Sequence, residues 1–126
     1  MNELTRAEEQ IMQILWSLKK AFVKDILDEI SEPRPAYNTV STIVRTLEKK
    51  GFVKFKSYGN SHQYYPAIEK DEYTKYFMKR VINNYFDNSI HQLVSFFTKD
   101  RSLDLKEVDE AIGLMQEMKK QMKVHE

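Results

Sequence analysis

Asn38, Thr39, Ser41, Thr42, Arg45, Lys49 and Lys50 lie in one short stretch in which Glu48 is the only carboxylate. Short hydroxyl and amide side chains, with an arginine one turn on, can donate to and accept from base edges. Lysines at the end of the stretch can neutralise phosphates. Lys54 and Lys56 follow at once. From residue 33 to residue 66 there are six Lys or Arg against Glu48 alone, a net +5. The formal +1 of the whole chain therefore leaves −4 elsewhere. One concentrated basic surface on a nearly neutral protein is the electrostatic footprint of a nucleic-acid partner. Thr, Ser and Asn at a helix start are also ordinary caps, and a lysine pair is often a solvated helix end, so these residues do not decide the matter alone.

The elements that must position these residues follow from periodicity. Val40, Ile43, Val44 and Leu47 stand at i, i+3, i+4 and i+7, one buried stripe of a helix. Asn38, Thr42, Arg45 and Lys49 then point the other way, with Ser41 beside them and Thr39 and Thr46 on the flank. The helix N-terminal amides add a place for a phosphate. After Lys49-Lys50-Gly51, the segment Tyr58-Gly59-Asn60-Ser61 predicts a two-residue hairpin loop pairing Phe55 with Tyr64 and Lys56 with Gln63. Val53, Phe55 and Tyr64 are expected in the core, leaving Lys54, Lys56, Gln63 and Tyr65 on a basic, aromatic face. Lysines that merely protect an edge strand would give the same pattern.

Upstream, Thr5-Arg6-Ala7-Glu8 is a capping box that opens a first helix with Ala7, Ile11, Ile14, Leu15 and Leu18 at core spacing and Trp16 as an anchor. A second helix is expected over Val23 to Ile30, with no obvious polar cap, and Glu32-Pro33-Arg34-Pro35 turns the chain into the basic helix. Helix, helix, turn, helix, hairpin is the order of a winged helix-turn-helix. Past Pro66, turn residues nearly vanish. The stretch from about Asp71 to Thr98 carries Tyr73, Phe77, Val81, Tyr85, Ile90, Leu93, Val94 and Phe97, in one helix or two. Asp104-Leu105-Lys106-Glu107 then caps a last helix with Ile112 and Met115. Such helices cannot enclose their own apolar faces, so the fold class expected is mainly α with a small β-hairpin. Residues 1–67 would form the winged helix, and residues 68–126 a helical dimerisation domain whose contacts include those ten named residues. A monomer in which these helices fold back on the winged helix remains open.

Other classes find little support. The chain has no cysteine, no Gly-rich phosphate loop and no Gly-x-Ser-x-Gly elbow, so no enzyme, cofactor or metal site is expected. His62, His91 and His125 are scattered. Asp87 and His91 are expected as a helix-surface pair rather than as metal ligands. No apolar run approaches a membrane span, and Met1-Asn2-Glu3-Leu4 has no basic-then-apolar leader, so a cytoplasmic protein is expected.

Leu4-Thr5-Arg6-Ala7-Glu8 through Ile14-Leu15-Trp16, then Ala36-Tyr37-Asn38-Thr39-Val40, Leu47-Glu48-Lys49-Lys50-Gly51 and Tyr64-Tyr65-Pro66 together resemble the BlaI/MecI family of penicillinase and methicillin-resistance repressors. The resemblance spans nearly the whole chain. It implies a homodimeric transcriptional repressor on a pseudo-palindromic double-stranded DNA operator of a resistance or stress operon. At the wing tip, where relatives often carry an arginine, this chain offers Asn60 and His62 as contacts. The resemblance also implies a sensor-protease pathway that cuts an Asn-Phe bond, yet the equivalent place reads Phe96-Phe97, with no asparagine. Copper-responsive relatives sense metal through C-terminal cysteines, which are absent here. The competing class is a winged-helix protein-interaction module without specific DNA binding. It has no reason to clear acids from the basic helix face.

Overall fold

Thr5 starts the fold as its sequence pattern predicts. In the computed structural model, which describes residues 1–100 and 103–124, the Thr5 hydroxyl accepts the Glu8 N–H at 3.2 Å. The Glu8 carboxylate accepts the Thr5 N–H at 2.9 Å, closing the capping box of α1 (Arg6–Leu18). This helix buries Glu8, Ile11, Met12 and Leu15, whereas Ala7, expected in that stripe, is exposed. The buried stripe is centred one residue further on, which brings a carboxylate and Met12 into the core. Trp16 and Leu18 are half-buried against it.

α2 (Val23–Asp28) is shorter than the expected Val23 to Ile30. It starts without a hydroxyl cap, and the Asp25 carboxylate accepts the Phe22 N–H at 2.9 Å instead. Beyond its end, the Arg34 guanidinium donates to the Ile30 carbonyl at 2.9 Å, closing the proline turn. α3 (Tyr37–Lys49) follows. It stops at Gly51, whose φ of +83 suits a residue without a Cβ. Gly51 N–H bonds Glu48 O at 3.0 Å and Phe52 N–H bonds Leu47 O at 2.9 Å, a Schellman ending with Phe52 buried beneath it.

β1 (Val53–Tyr58) and β2 (Ser61–Pro66) pair antiparallel in the expected register, Phe55 opposite Tyr64 and Lys56 opposite Gln63. Ala21 adds a single bridge to Tyr64, with N–H to O distances of 2.9 and 2.8 Å. The helices and this sheet enclose one core that includes Ile11, Met12, Leu15, Ile26, Val40, Val44, Leu47, Phe52 and Val53.

The chain forms two compact units, residues 1–78 and 79–126, with α4 (Lys70–Tyr85) contributing to both. In the first unit, Trp16 Nε1 donates to the Ile68 carbonyl at 2.9 Å, and Tyr76 and Phe77 are packed against the core. Tyr73, expected on the dimerisation stripe, is instead a core residue of this unit, only 4% exposed. Its neighbours Trp16 and Phe52 receive its ring.

In the second unit the long periodic stretch is broken at Asp87 and Asn88, whose φ values are 50 and 59. Asp and Asn tolerate this left-handed region better than other side chains, and two in succession end α4. Asp87 thus lies in a turn, in contrast to the helix-surface pair with His91 that the sequence predicts. Ser89 Oγ accepts the Gln92 N–H at 3.1 Å and opens α5 (Ile90–Asp100). Asp104 accepts the Glu107 N–H at 2.8 Å and opens α6 (Leu105–Val124), as its capping pattern predicts. No described residue of α5 or α6 is buried. Between them runs an apolar groove lined by residues that include Val94, Phe97, Val108, Ile112, Met115, Met118 and Met122. No helix among the described residues is long and apolar enough to cross a membrane.

Candidate nucleic-acid interface

α3 presents Asn38, Thr39, Thr42, Arg45 and Lys49 to solvent. Thr42 Oγ1 donates to the Asn38 carbonyl at 2.9 Å, and Thr46 Oγ1 donates to the Thr42 carbonyl at 3.0 Å. Each hydroxyl proton is engaged while its lone pairs stay free to accept. No side chain caps the helix start at Ala36, and the first turn carries no acid. The Thr39 N–H donates to the Ala36 carbonyl at 3.0 Å, which leaves the N–H groups of Tyr37 and Asn38 and the positive end of the helix dipole unblocked. Tyr37, 54% exposed, stands at the first helical position and was not among the expected contacts. Ser41, which was among them, is buried beside Val40 and Val44. Three residues before Val44 on a helix of 3.6 residues per turn, Ser41 lies about 60° from it on the flank of the stripe, where a side chain this short is covered.

Lys50 also departs from expectation. Its ammonium lies 2.8 Å from Glu8 Oε2 and 2.9 Å from Glu8 Oε1, so this exposed residue, unlike Lys49, spends its charge on a buried carboxylate of α1. Burial pushes the Glu8 carboxyl up. The Lys50 hydrogen bond, the Thr5 backbone N–H and the Lys50 charge outweigh that and hold it below the ordinary glutamate range. The signal in the sequence was Glu8 itself, at i relative to Ile11, Met12 and Leu15.

The hairpin carries Lys54 and Lys56 on one exposed face with Gln63 and Tyr65. The Lys56 ammonium sits 5.5 Å from the centroid of the Tyr58 ring, which meets Phe22 edge-on at 6.0 Å. The entry to α2 thereby braces the wing, a contact with no short-range sequence signal. Phe55, expected in the core, is 38% exposed because the hairpin projects past the helices there. It stacks on His62 with ring centroids 4.0 Å apart and 7° between planes. His62, expected as a tip contact, is thus held in a cross-strand stack on the Phe55 and Tyr64 face, opposite Lys54 and Lys56. Asn60 is exposed at the tip beside Gly59, whose φ is +60. At the wing root, burial and then Glu48 push the Tyr64 phenol above its ordinary value, with Arg45 opposing.

Among the described residues, Arg45, Lys49 and Lys54 have no ion pair, whereas Arg34 lies 3.8 Å from Glu32 and Lys50 is bound to Glu8. A helix face rich in donors and acceptors beside a lysine-bearing ribbon has the dimensions and charge to dock on a duplex. The helix suits a major groove roughly 12 Å wide, and the ribbon suits the flanking phosphates.

The sequence model of the family described as penicillinase repressor matches residues 4–117 of the chain. The chain is 29% identical over 114 residues to the methicillin resistance regulatory protein MecI of Mammaliicoccus sciuri, covering 90% of this chain and 93% of that protein. It is 26% identical over 119 residues to the penicillinase repressor of Staphylococcus aureus, covering 94% of each. Among solved structures it is similar to the DNA-binding domain of the repressor BlaI. The TM-score is 0.50 at 24% identity, over 56% of this chain and 88% of that one, a likeness of fold.

Proposed function

The chain belongs to the penicillinase repressor family, and from that premise we propose that it is a DNA-binding transcriptional repressor acting as a homodimer on a pseudo-palindromic operator. The observation that carries the DNA-binding reading is the exposed face of α3, where Asn38, Thr39, Thr42, Arg45 and Lys49 stand without an acid in the first turn. Arg45 reads base edges, Lys49 meets phosphate, and Lys54 and Lys56 bind the backbone from the wing. The homodimer reading rests on α5 and α6, which expose one continuous apolar groove. A symmetric dimer would address two half-sites about one helical turn, or roughly 34 Å, apart. Release by an Asn-Phe cut is not part of this proposal, because the corresponding bond reads Phe96-Phe97 inside α5.

A gel-shift titration against the chain's own upstream promoter DNA, with scrambled competitor and two salt concentrations, tests the reading. Competitor-resistant, salt-sensitive binding of two protomers per site is the expected result. Binding no tighter than to scrambled DNA, there and on promoters selected across the genome, would favour a protein-interaction module instead.

A further inference from the structure

Val40, Val44 and Leu47 bury the inner face of the recognition helix, but its two ends are held differently. Its start has no side-chain cap, whereas its last turn is closed by the Schellman bonds at Gly51 and Phe52 and then bound to α1 through Lys50. Lys50 is the residue that ends α3, and its N–H already bonds the Thr46 carbonyl at 3.0 Å. Its ammonium reaches both oxygens of Glu8, and Oε1 also accepts the Thr5 N–H. The Glu8 side chain is 6% exposed and that of Lys50 is 30% exposed, so water competes weakly on the carboxylate side. Glu8 thus stands in the apolar stripe of α1, where a leucine would pack without needing a partner. Buried ion pairs are seldom more stabilising than apolar packing, so stability alone gives no reason for a carboxylate at this place.

Resting on the reading of α3 as the recognition helix, we propose that Glu8 and Lys50 are positioning residues: their ion pair fixes the tilt at which α3 presents its first turn to base edges. Lys50 does this without touching DNA. α3 is about 20 Å long at 1.5 Å per residue, so a tilt of about 10° about the end that Lys50 ties to α1 moves Asn38 by roughly 3 Å. That displacement exceeds the tolerance of a hydrogen bond to a base. Phosphate contacts from flexible lysines absorb the same shift, so loss of the pair damages discrimination rather than overall attraction.

The test uses the full chain, a duplex that the wild type enriches from a randomised library, and a scrambled duplex of equal composition, titrated across a salt series. The variants are Lys50→Met, Lys50→Arg, the double variant Glu8→Gln with Lys50→Met, and Arg45→Ala. The double variant leaves no unpaired charge, which guards against simple misfolding, and a thermal melt reports the folded fraction. Lys50→Met and the double variant are expected to lose about tenfold in preference for the enriched duplex, with the salt slope unchanged, while Lys50→Arg keeps most of the preference. A slope shallower by about one unit, with equal loss on both duplexes, would make Lys50 a phosphate contact and overturn the proposal. So would an unchanged preference in the folded double variant, or equal losses that track the melted fraction. An Arg45→Ala variant that discriminates like the wild type, or a library that yields no enriched sequence, would instead overturn the recognition-helix reading on which the proposal stands.

Discussion

The phenol oxygen of Tyr73 accepts the backbone N–H of Leu4 at 2.8 Å inside the core of the first unit, tying the start of α4 to the segment that precedes α1. Leu4 lies before the first helix, so no backbone carbonyl of α1 is placed to satisfy its N–H. Tyr73→Phe keeps the ring contacts with Trp16 and Phe52 and removes only the acceptor. It is expected to cost about 1 to 3 kcal/mol in urea unfolding, the penalty of an unmade buried hydrogen bond. An unchanged midpoint would show that the N–H finds another partner.

Glu8 makes stability depend on acid. Its carboxyl is held below the ordinary range, so in acid the unfolded chain binds the proton first. Its contribution is therefore complete above the ordinary glutamate value and is lost as pH falls through the lower, folded value. Urea midpoints measured from about pH 7 to about pH 3 should fall less steeply for Glu8→Gln than for the wild type. Parallel curves would refute the assignment.

Lys19 ends α1 with φ 72 and ψ −36 while its N–H bonds Leu15 O at 2.8 Å. A side chain is strained there and glycine is not. Lys19→Gly is expected to raise stability by up to about 1 kcal/mol, read as a higher melting temperature. A lower one would mean that unfolded-state entropy outweighs the relief of strain.

Arg45 and Lys54 separate reading from attraction. Arg45 lies on the exposed face of α3, and Lys54 on the exposed face of the hairpin. Arg45→Ala is expected to cost about 1 to 3 kcal/mol on the operator and little on scrambled DNA. Lys54→Ala should weaken both and reduce the salt slope by about one unit. Gel shifts at several salt concentrations decide it, and unchanged binding in both variants would remove the docking mode.

The local features were legible because their causes are local. Thr5 and Glu8 are three residues apart, the Gly59-Asn60 loop fixes the hairpin register, and Asp104 announces α6. What escaped depends on partners far along the chain. Lys50 sits beside Lys49 and is exposed like it, and only Glu8, 42 residues away, shows that its charge is already paired. Tyr73 continues an aromatic period that runs on through Phe77, and only Leu4, 69 residues away, shows that its ring belongs to the first core. Ser41 reads as a surface contact by its polarity, although its place between Val40 and Val44 turns it inward. Asp87-Asn88 breaks a periodic run because two adjacent residues adopt a left-handed backbone, which apolar periodicity does not register.

The second unit supplies the last prediction. Val94, Phe97, Ile112, Met115, Met118 and Met122 are each at least two-fifths exposed, and all line the groove between α5 and α6. A chain of this size gains nothing from leaving such a surface in water, and a stable dimer needs about 1,200 to 2,000 Å² of buried area. With Tyr73 in the first core and Phe77 half-buried against it, the dimerisation surface is expected to centre on α5 and α6 rather than on the start of α4. Met115→Asp would place an unpaired charge in the centre of such an interface, where desolvation costs several kcal/mol. Sedimentation at micromolar concentration should then show a wild-type dimer and a monomeric variant, and the variant should bind half-operator DNA but lose the tighter two-site complex. A wild type that sediments as a monomer at this concentration would overturn the homodimer, while a dimeric Met115→Asp would move the interface away from this groove.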